Sequence, residues 1–209
     1  MESLKAQGIQ VEKSVLSDTM LAIHGYDYLE MVQAFAEGLI TVQDTSSSLV
    51  GVIAAPENGN FVLDVCSAPG GKSMHVADLM NGTGLVESRD LTEYKIMLVE
   101  ENIARCGFEN IQTKVWDATE FDAEMEGKAD IVIADLPCSG LGIIGKKPDI
   151  KMRLKEEELD ELARLQKEIL SVLRMPFWLP AHCRGCKREA VSEKQHPFRY
   201  RLQQLQRQT

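Results

Sequence analysis

The residues best suited to chemistry lie in Phe61-Val-Leu-Asp-Val-Cys-Ser-Ala-Pro-Gly-Gly-Lys-Ser73, an apolar run that enters a glycine turn and continues into a helical pattern. Such a turn lets a ligand approach backbone N–H groups at the positive end of a helix. In an open α/β fold it falls at the carboxyl edge of the sheet, where ligands bind. Two adjacent glycines followed by lysine exceed what a plain connecting turn requires. The candidate binding loop is therefore Cys66, Ser67, Ala68, Pro69, Gly70, Gly71 and Lys72. Spacing tests two nucleotide readings of it. The phosphate loop G-x-x-x-x-G-K-[ST] would use Gly71, Lys72 and Ser73 but needs glycine where Cys66 stands, and the dinucleotide fingerprint G-x-G-x-x-G fails as well.

Three aspartates sharpen the reading. Asp90, Asp117 and Asp135 each fall at or just after the end of an expected strand, so in a parallel sheet all three face the same edge as the glycine loop. Singly, each is an ordinary turn or cap residue. Together, beside a glycine loop, they describe a site, and an acid after the second strand suits a ribose diol. The implied ligand is a nucleoside-like cofactor with no triphosphate, which fits S-adenosylmethionine. Asp135-Leu-Pro-Cys-Ser-Gly140 then puts Cys138 where the next strand opens into the cleft, a place for a reactive thiol or for a small buried side chain.

The elements that must hold these residues are legible from period and punctuation. A helix is expected over Asp27–Ala36, then a short apolar run at Leu39, Ile40 and Val42, a helix from Thr45 to near Ala55, and a turn at Pro56–Gly59. After it come a strand at Phe61–Cys66, a helix at Ser73–Met80, a strand at Gly84–Arg89, a helix at Leu91–Arg105, and strands at Ile111–Trp116 and Ile131–Ala134. Alternating strands and helices imply a parallel sheet, because parallel strands need crossover connections. Leu159, Leu162, Leu165, Ile169, Val172 and Leu173 recur at helical spacing, the docking stripe of a surface helix over Glu156–Leu173. The following segment, punctuated by Pro176 and Pro180 and running into Arg184-Gly-Cys-Lys-Arg-Glu189, cannot form the next central strand.

At 209 residues, 44% hydrophobic and 26% charged, the chain has the size and composition of one compact domain with a small extra lobe. It has no run of about 18 apolar residues and no apolar block in Met1–Gln10, so a protein of the cell interior, with no membrane partner, is expected. Five scattered cysteines argue against a disulfide framework. The net charge of −9 hides a split, for Met175–Thr209 carries seven basic and two acidic side chains. That basic tail is expected to be a poorly ordered, solvated end able to make nonspecific phosphate contacts. His182-Cys-Arg-Gly-Cys186 is at most half of a zinc site, and no metal is expected.

Asp64-Val-Cys-Ser-Ala-Pro-Gly-Gly-Lys72, Asp135-Leu-Pro-Cys-Ser-Gly140 and Pro148-Asp-Ile150 resemble the signature motifs of the Sun/RsmB/NOP family of RNA cytosine-C5 methyltransferases. Gly38-Leu-Ile-Thr-Val-Gln-Asp-Thr-Ser-Ser47 resembles the segment before that family's catalytic domain, and Asn102, Arg105 and Gly107 fit its helix ending. The resemblance runs over roughly residues 1–173 and is nearest to bacterial enzymes that act on 16S rRNA. It implies a Rossmann-like α/β methyltransferase fold, a mostly parallel sheet with helices on both faces, incomplete at its C-terminal strands. It implies S-adenosylmethionine held by Cys66 to Lys72, with Asp90 at its ribose hydroxyls, Asp117 at the adenine side and Asp135 near the methyl donor and target base. In this family one cysteine thiolate adds to carbon 6 of cytosine, making carbon 5 nucleophilic enough to take the methyl group. A second, in Pro-Cys and here Cys138, assists product release.

The family's nucleophile sits in a Thr-Cys motif, and the chain contains no Thr-Cys. Residues 1–55 are expected to be a remnant of an RNA-binding region with linker helices, Met1–Gln10 resembling the middle of that region. Residues 56–173 are expected to form the methyltransferase domain and 174–209 a basic tail foreign to the family. The expected function is methyl transfer to a cytosine of 16S rRNA in the cytoplasm, by a monomer. The alternatives are an inactive remnant that binds S-adenosylmethionine or RNA, and a phosphate-loop nucleotidase, which fails on spacing.

Overall fold

The computed structural model describes residues 1–15, 19–145, 149–153 and 155–177 of the chain, all within one unit, Met1–Phe177. The proline-punctuated tail and its His182–Cys186 cluster lie outside the described residues, as does Pro148. The chain opens with α1 (Glu2–Ala6), strands β1 (Gln10–Lys13) and β2 (Leu21–His24), a 3-10 turn (Leu29–Met31), α2 (Gln33–Ala36) and α3 (Thr45–Ala54). The alternating part is β3 (Phe61–Asp64), α4 (Gly71–Leu79), β4 (Leu85–Asp90), α5 (Glu93–Cys106), β5 (Ile111–Val115) and β6 (Ile131–Ile133). A 3-10 turn (Leu141–Ile143), α6 (Ile150–Arg153) and α7 (Glu156–Phe177) follow.

The four strands of the second part form one parallel sheet in the order β5-β4-β3-β6. Register puts Val62 beside Val86 and Ile131, and Val86 beside Ile111, so these apolar side chains share a face. Met74, Val76 and Ala77 of α4 and its C-cap Met80 cover that face, with Val50 of α3 and Ile103 of α5 at its margin. The period-2 alternation then sends Leu63, Glu87 and Arg89 to the opposite face. There Arg89 is buried and pairs with Glu87 and with Asp122 at 2.7 Å, while Trp116 stacks on its guanidinium and on Lys114. The pairing offsets the cost of placing charge against a sheet. Val172 and Leu173 of α7 line a crevice on this same face.

The strand order reverses direction between β3 and β6. A crevice therefore opens at their carboxyl ends, the usual ligand position in such sheets.

Two expectations need correction. Asp27–Ala36 is not one helix: Val32, extended between the 3-10 turn and α2, is buried with Leu4, Ile9 and Ala34. Filling that cluster with a β-branched side chain wins over continuing the helix. Of the stripe expected on α7, Ile169 is buried and Leu162, Leu165, Val172 and Leu173 are half-buried, but Leu159 is exposed. The antiparallel pair β1–β2, with Val11 opposite Ile23, is an element the sequence reading passed over.

Arg105 ties the N-terminal part to the sheet. Its guanidinium donates to the carbonyls of Phe35 (2.8 Å) and Ile40 (3.2 Å), lies 4.1 Å from the Phe35 ring centroid, and donates to Asn102 Oδ1. Arg105→Ala leaves two carbonyls without their charged donor and is expected to cost on the order of 2–3 kcal/mol. Urea denaturation reads the loss. An unchanged midpoint, with amide exchange over 29–40 also unchanged, would contradict the role assigned to this side chain.

Candidate functional site

The glycine loop is built by the strands it leaves. Val65 N–H donates to the Ile133 carbonyl of β6 (3.1 Å) and Ser67 N–H to the Arg89 carbonyl of β4 (2.9 Å), so the chain continues the sheet on both sides before it turns. The turn contains a cis Ala68–Pro69 bond, and Gly70, at φ +97°, is the N-cap of α4 with no side-chain cap. A Cβ on Gly70 would come 3.0 Å from Val99 Cγ1, so glycine is required there by backbone and packing alike. Gly71 differs. Its backbone is not left-handed, and outside its own helix and neighbours a Cβ would meet one atom within 4 Å, Gln43 Nε2 at 3.7 Å. Nothing in the fold demands glycine at 71, which leaves open space over the first turn of α4.

Beneath the loop, Asp64 is wholly buried and accepts a hydrogen bond from Ser73 Oγ at 2.7 Å; among the described residues its Oδ1 has no hydrogen-bond partner. Burial pushes its carboxyl up to about 6, against the opposing pull of the Ser73 hydroxyl, Lys72 and the Cys66 N–H, and Asp135 adds to the rise. Lys72 bridges elements, its Nζ lying 2.6 Å from Asp135 Oδ2 and 3.1 Å from Ser47 Oγ of α3. Cys66 is a half-buried thiol pushed up to about 11 by burial and by the carboxylates of Asp90 and Asp64. It lines the site as a neutral group and is no nucleophile near neutral pH.

Asp90 is the last residue of β4, and its carboxylate is already organised. Oδ2 accepts from Ala68 N–H (3.0 Å), while Oδ1 accepts from Leu91 N–H and from Lys95 Nζ, both at 2.8 Å. Asp117, two residues past β5, sits apart from these contacts. Its Oδ1 accepts from the Thr119 N–H (2.9 Å) and hydroxyl (2.7 Å), the turn role expected of such an aspartate taken singly, although the adjacent Trp116 N–H still pairs with the Asp90 carbonyl. Asp135 is more than half exposed and faces the crevice through its pairing with Lys72. Cys138 is exposed, on a loop anchored where Gln166 of α7 donates to the Pro137 carbonyl at 2.6 Å.

The structure thus joins the loop Cys66–Lys72 to Asp90 on one side and to Asp135 on the other, and holds Asp117 at the same edge without a direct link. Four residues that the sequence reading gave no role belong to the site: Gln43, Ser47, Asp64 and Lys95. Lys95 was within reach, one turn into the helix that follows Asp90. Ser47 and Gln43 lie in the Gly38–Ser47 segment that resembles the family, but nothing local gave them a role at the loop, to which the packing of α3 on α4 brings them.

This constellation is matched in known proteins. The family model for 16S rRNA methyltransferase RsmB/F matches residues 51–176. The chain belongs to that family. It is 38% identical over 176 residues to "Probable ribosomal RNA small subunit methyltransferase B" of Bacillus subtilis (strain 168), covering 83% of this chain and 38% of that protein. It therefore spans well under half the length of that relative. The solved structure of PH0851 superposes with a TM-score of 0.76 at 32% identity, over 82% of this chain and 39% of that one. NSun6 from Pyrococcus horikoshii, solved with SFG, gives 0.64 at 26% identity over 70% and 37%. The Rossmann-like methyltransferase fold read from the sequence is the fold observed, and S-adenosylmethionine is the cofactor that membership of this family supports.

Asp64 gives a measurable pH signature. Its raised value means that folding takes up a proton there, so its contribution to stability is present below about pH 3.8 and lost as pH rises through about 6. Relative to Asp64→Asn, which keeps an acceptor for Ser73, the native chain is expected to lose on the order of 3 kcal/mol across that window and nothing more above it. Urea midpoints from pH 4 to 8 measure the difference. A difference independent of pH would mean that Asp64 is not the buried acid described.

Proposed function

We propose that this chain comes from an enzyme that transfers the methyl group of S-adenosylmethionine to carbon 5 of a cytosine in 16S rRNA. One observation carries the cofactor part of that reading. The first turn of α4 starts at a glycine that offers no side-chain cap, the next position, Gly71, has room for a side chain, and the loop before it is tied to Asp90 through Ala68 N–H and to Asp135 through Lys72. A ligand with one carboxylate and two positive centres suits that pattern, whereas a triphosphate would meet the carboxylates head on. When bound, S-adenosylmethionine supplies an electrophilic methyl group.

The chain's own residues have distinct tasks in this reading. Cys66 to Lys72 form the floor, with Gly71 leaving room for close approach to backbone N–H groups. The Asp90 carboxylate already receives three donors, so of its roughly four acceptor positions one is left for a ribose hydroxyl. Lys95, nearly half exposed, can donate to the same diol. Asp117 keeps Oδ2 for the adenine side. Asp135, steadied by Lys72, lies where the donor methyl and the target base meet, and Cys138 stands on the Pro137 loop beside it to assist product release.

Residues 56–173 are the methyltransferase part in this assignment. Residues 1–55 are the RNA-facing region and linker, and their apolar cluster at Leu4, Ile9, Val32 and Ala34 packs separately from the core of the sheet. Residues 174–209 are a basic tail. Among the described residues no helix is long and apolar enough to cross a membrane, and we place the protein in the cytoplasm as a monomer. A second reading, cofactor binding without turnover, is favoured by the absence of Thr-Cys from the 209 residues.

Two linked measurements decide between them. Calorimetric titration with S-adenosylmethionine is expected to show saturable one-site binding. Incubation of the same protein with unmodified 16S rRNA and the cofactor is then expected to yield a cytosine resistant to bisulfite conversion. Binding without modification would establish the second reading, and a folded chain that does not bind would overturn both.

A further inference from the structure

Granted that the loop Cys66–Lys72 holds S-adenosylmethionine, as proposed above, we infer that Asn102 is a positioning residue of that loop, the side chain through which Arg105 and the N-terminal segment 35–40 fix the place of the Pro69 carbonyl. Asn102 lies near the end of α5, outside every strand-end motif. Its Nδ2 donates to the carbonyls of Pro69 and Leu98, each at 3.1 Å, and its Oδ1 accepts from the Arg105 guanidinium at 3.1 Å. Carbonyls only accept and a guanidinium only donates, so the amide can face them in one orientation. An aspartate here would turn a carboxylate oxygen toward both carbonyls, and an apolar side chain would serve neither side.

The face of α5 that carries Asn102 explains why this contact matters. Lys95, Val99 and Asn102 are four and three residues apart and therefore lie along one side of the helix. Each meets the loop at a different residue. Lys95 pairs with Asp90, whose other oxygen accepts from Ala68 N–H. Val99 lies against Gly70, its Cγ1 3.0 Å from where a Cβ would stand. Asn102 takes Pro69, a residue with no N–H, so the carbonyl is the one backbone group by which a hydrogen bond can hold it. Asn102 also joins the loop to the N-terminal part, because Arg105 donates to the carbonyls of Phe35 and Ile40. A Cβ on Gly38 would run into the Arg105 carbonyl, so this segment rests directly on the end of α5. The relay from segment 35–40 through Arg105 and Asn102 to Pro69 thus sets the loop from outside the crevice.

The test is a double-mutant cycle read by cofactor affinity. Native protein, Asn102→Ala, Arg105→Ala and the double variant are titrated with S-adenosylmethionine, and urea midpoints report that each is folded. Ile103→Ala, which thins the core at the margin of the same helix, controls for lost stability. Asn102→Ala is expected to weaken binding about fivefold, the scale of one hydrogen bond. Arg105→Ala is expected to weaken it about threefold in the native background and not at all once Asn102 is alanine, since coupled residues do not add. Ile103→Ala is expected to bind as the native protein does. Asn102→Asp, which keeps the acceptor for Arg105 but opposes the Pro69 carbonyl, is expected to bind more weakly than Asn102→Ala, and it makes the comparison with Ile103→Ala if the alanine variant does not fold. Additive losses from Asn102→Ala and Arg105→Ala would overturn the inference. So would native affinity in either Asn102 variant, or a loss in Ile103→Ala equal to theirs. Failure of the native protein to bind S-adenosylmethionine would instead overturn the reading of the loop on which the inference rests.

Discussion

Lys72 holds the site together. It stands in the first turn of α4, directly after the glycine pair, and its ammonium reaches Asp135 beyond β6 and Ser47 on α3. The strand order reverses between β3 and β6, so the loops after these two strands diverge and leave the crevice in which a ligand can lie. A cation that spans the crevice fixes its width. Without it, the negative charges of Asp135 and the buried Asp64 would lose the cation that offsets them both. Burial still holds the Asp64 carboxyl above its ordinary value, so Lys72 offsets that cost only in part.

The same arrangement explains which ligands the site accepts. The carboxyl edge gathers Asp64, Asp90, Asp117 and Asp135, and its cations Lys72 and Lys95 are each paired with one of those carboxylates. What remains for an anion is the small patch of first-turn backbone N–H groups at the start of α4. That patch suits one carboxylate and no chain of phosphates, so the failed spacing of a phosphate loop at Cys66 and the charge pattern agree on physical grounds. Cys66 contributes volume without charge, since its thiol is held neutral by burial and by its acidic neighbours.

Much of this was legible in the sequence, and the reasons differ from element to element. Strands β3 to β6 and helices α4 and α5 are coded locally by apolar period and glycine punctuation, so their positions agree with expectation to within a few residues. The edge position of Asp90, Asp117 and Asp135 follows from topology alone, because every strand of a parallel sheet ends at the same side. The contacts of those aspartates were not legible. Whether a carboxylate is held by Ala68 N–H and Lys95 or closes its own turn on Thr119 depends on loop geometry. The break at Val32, the β1–β2 pair, the buried Arg89–Asp122 pairing and the approach of Gln43 to Gly71 each arise from packing between distant segments, for which a single sequence holds no local signal. Membership of the RsmB/F family, by contrast, was readable because its two long motifs combine the chemistry and the fold in one stretch of chain.

The most direct test of the convergent site is hydrogen–deuterium exchange followed by mass spectrometry, with and without S-adenosylmethionine. The account predicts slowed exchange in three separate segments, around Ser67–Lys72, Asp90–Thr92 and Ala134–Cys138, with the β1–β2 pair unchanged. Protection confined to one of these segments, or found in the β1–β2 pair instead, would show that the loops do not form a single cofactor site.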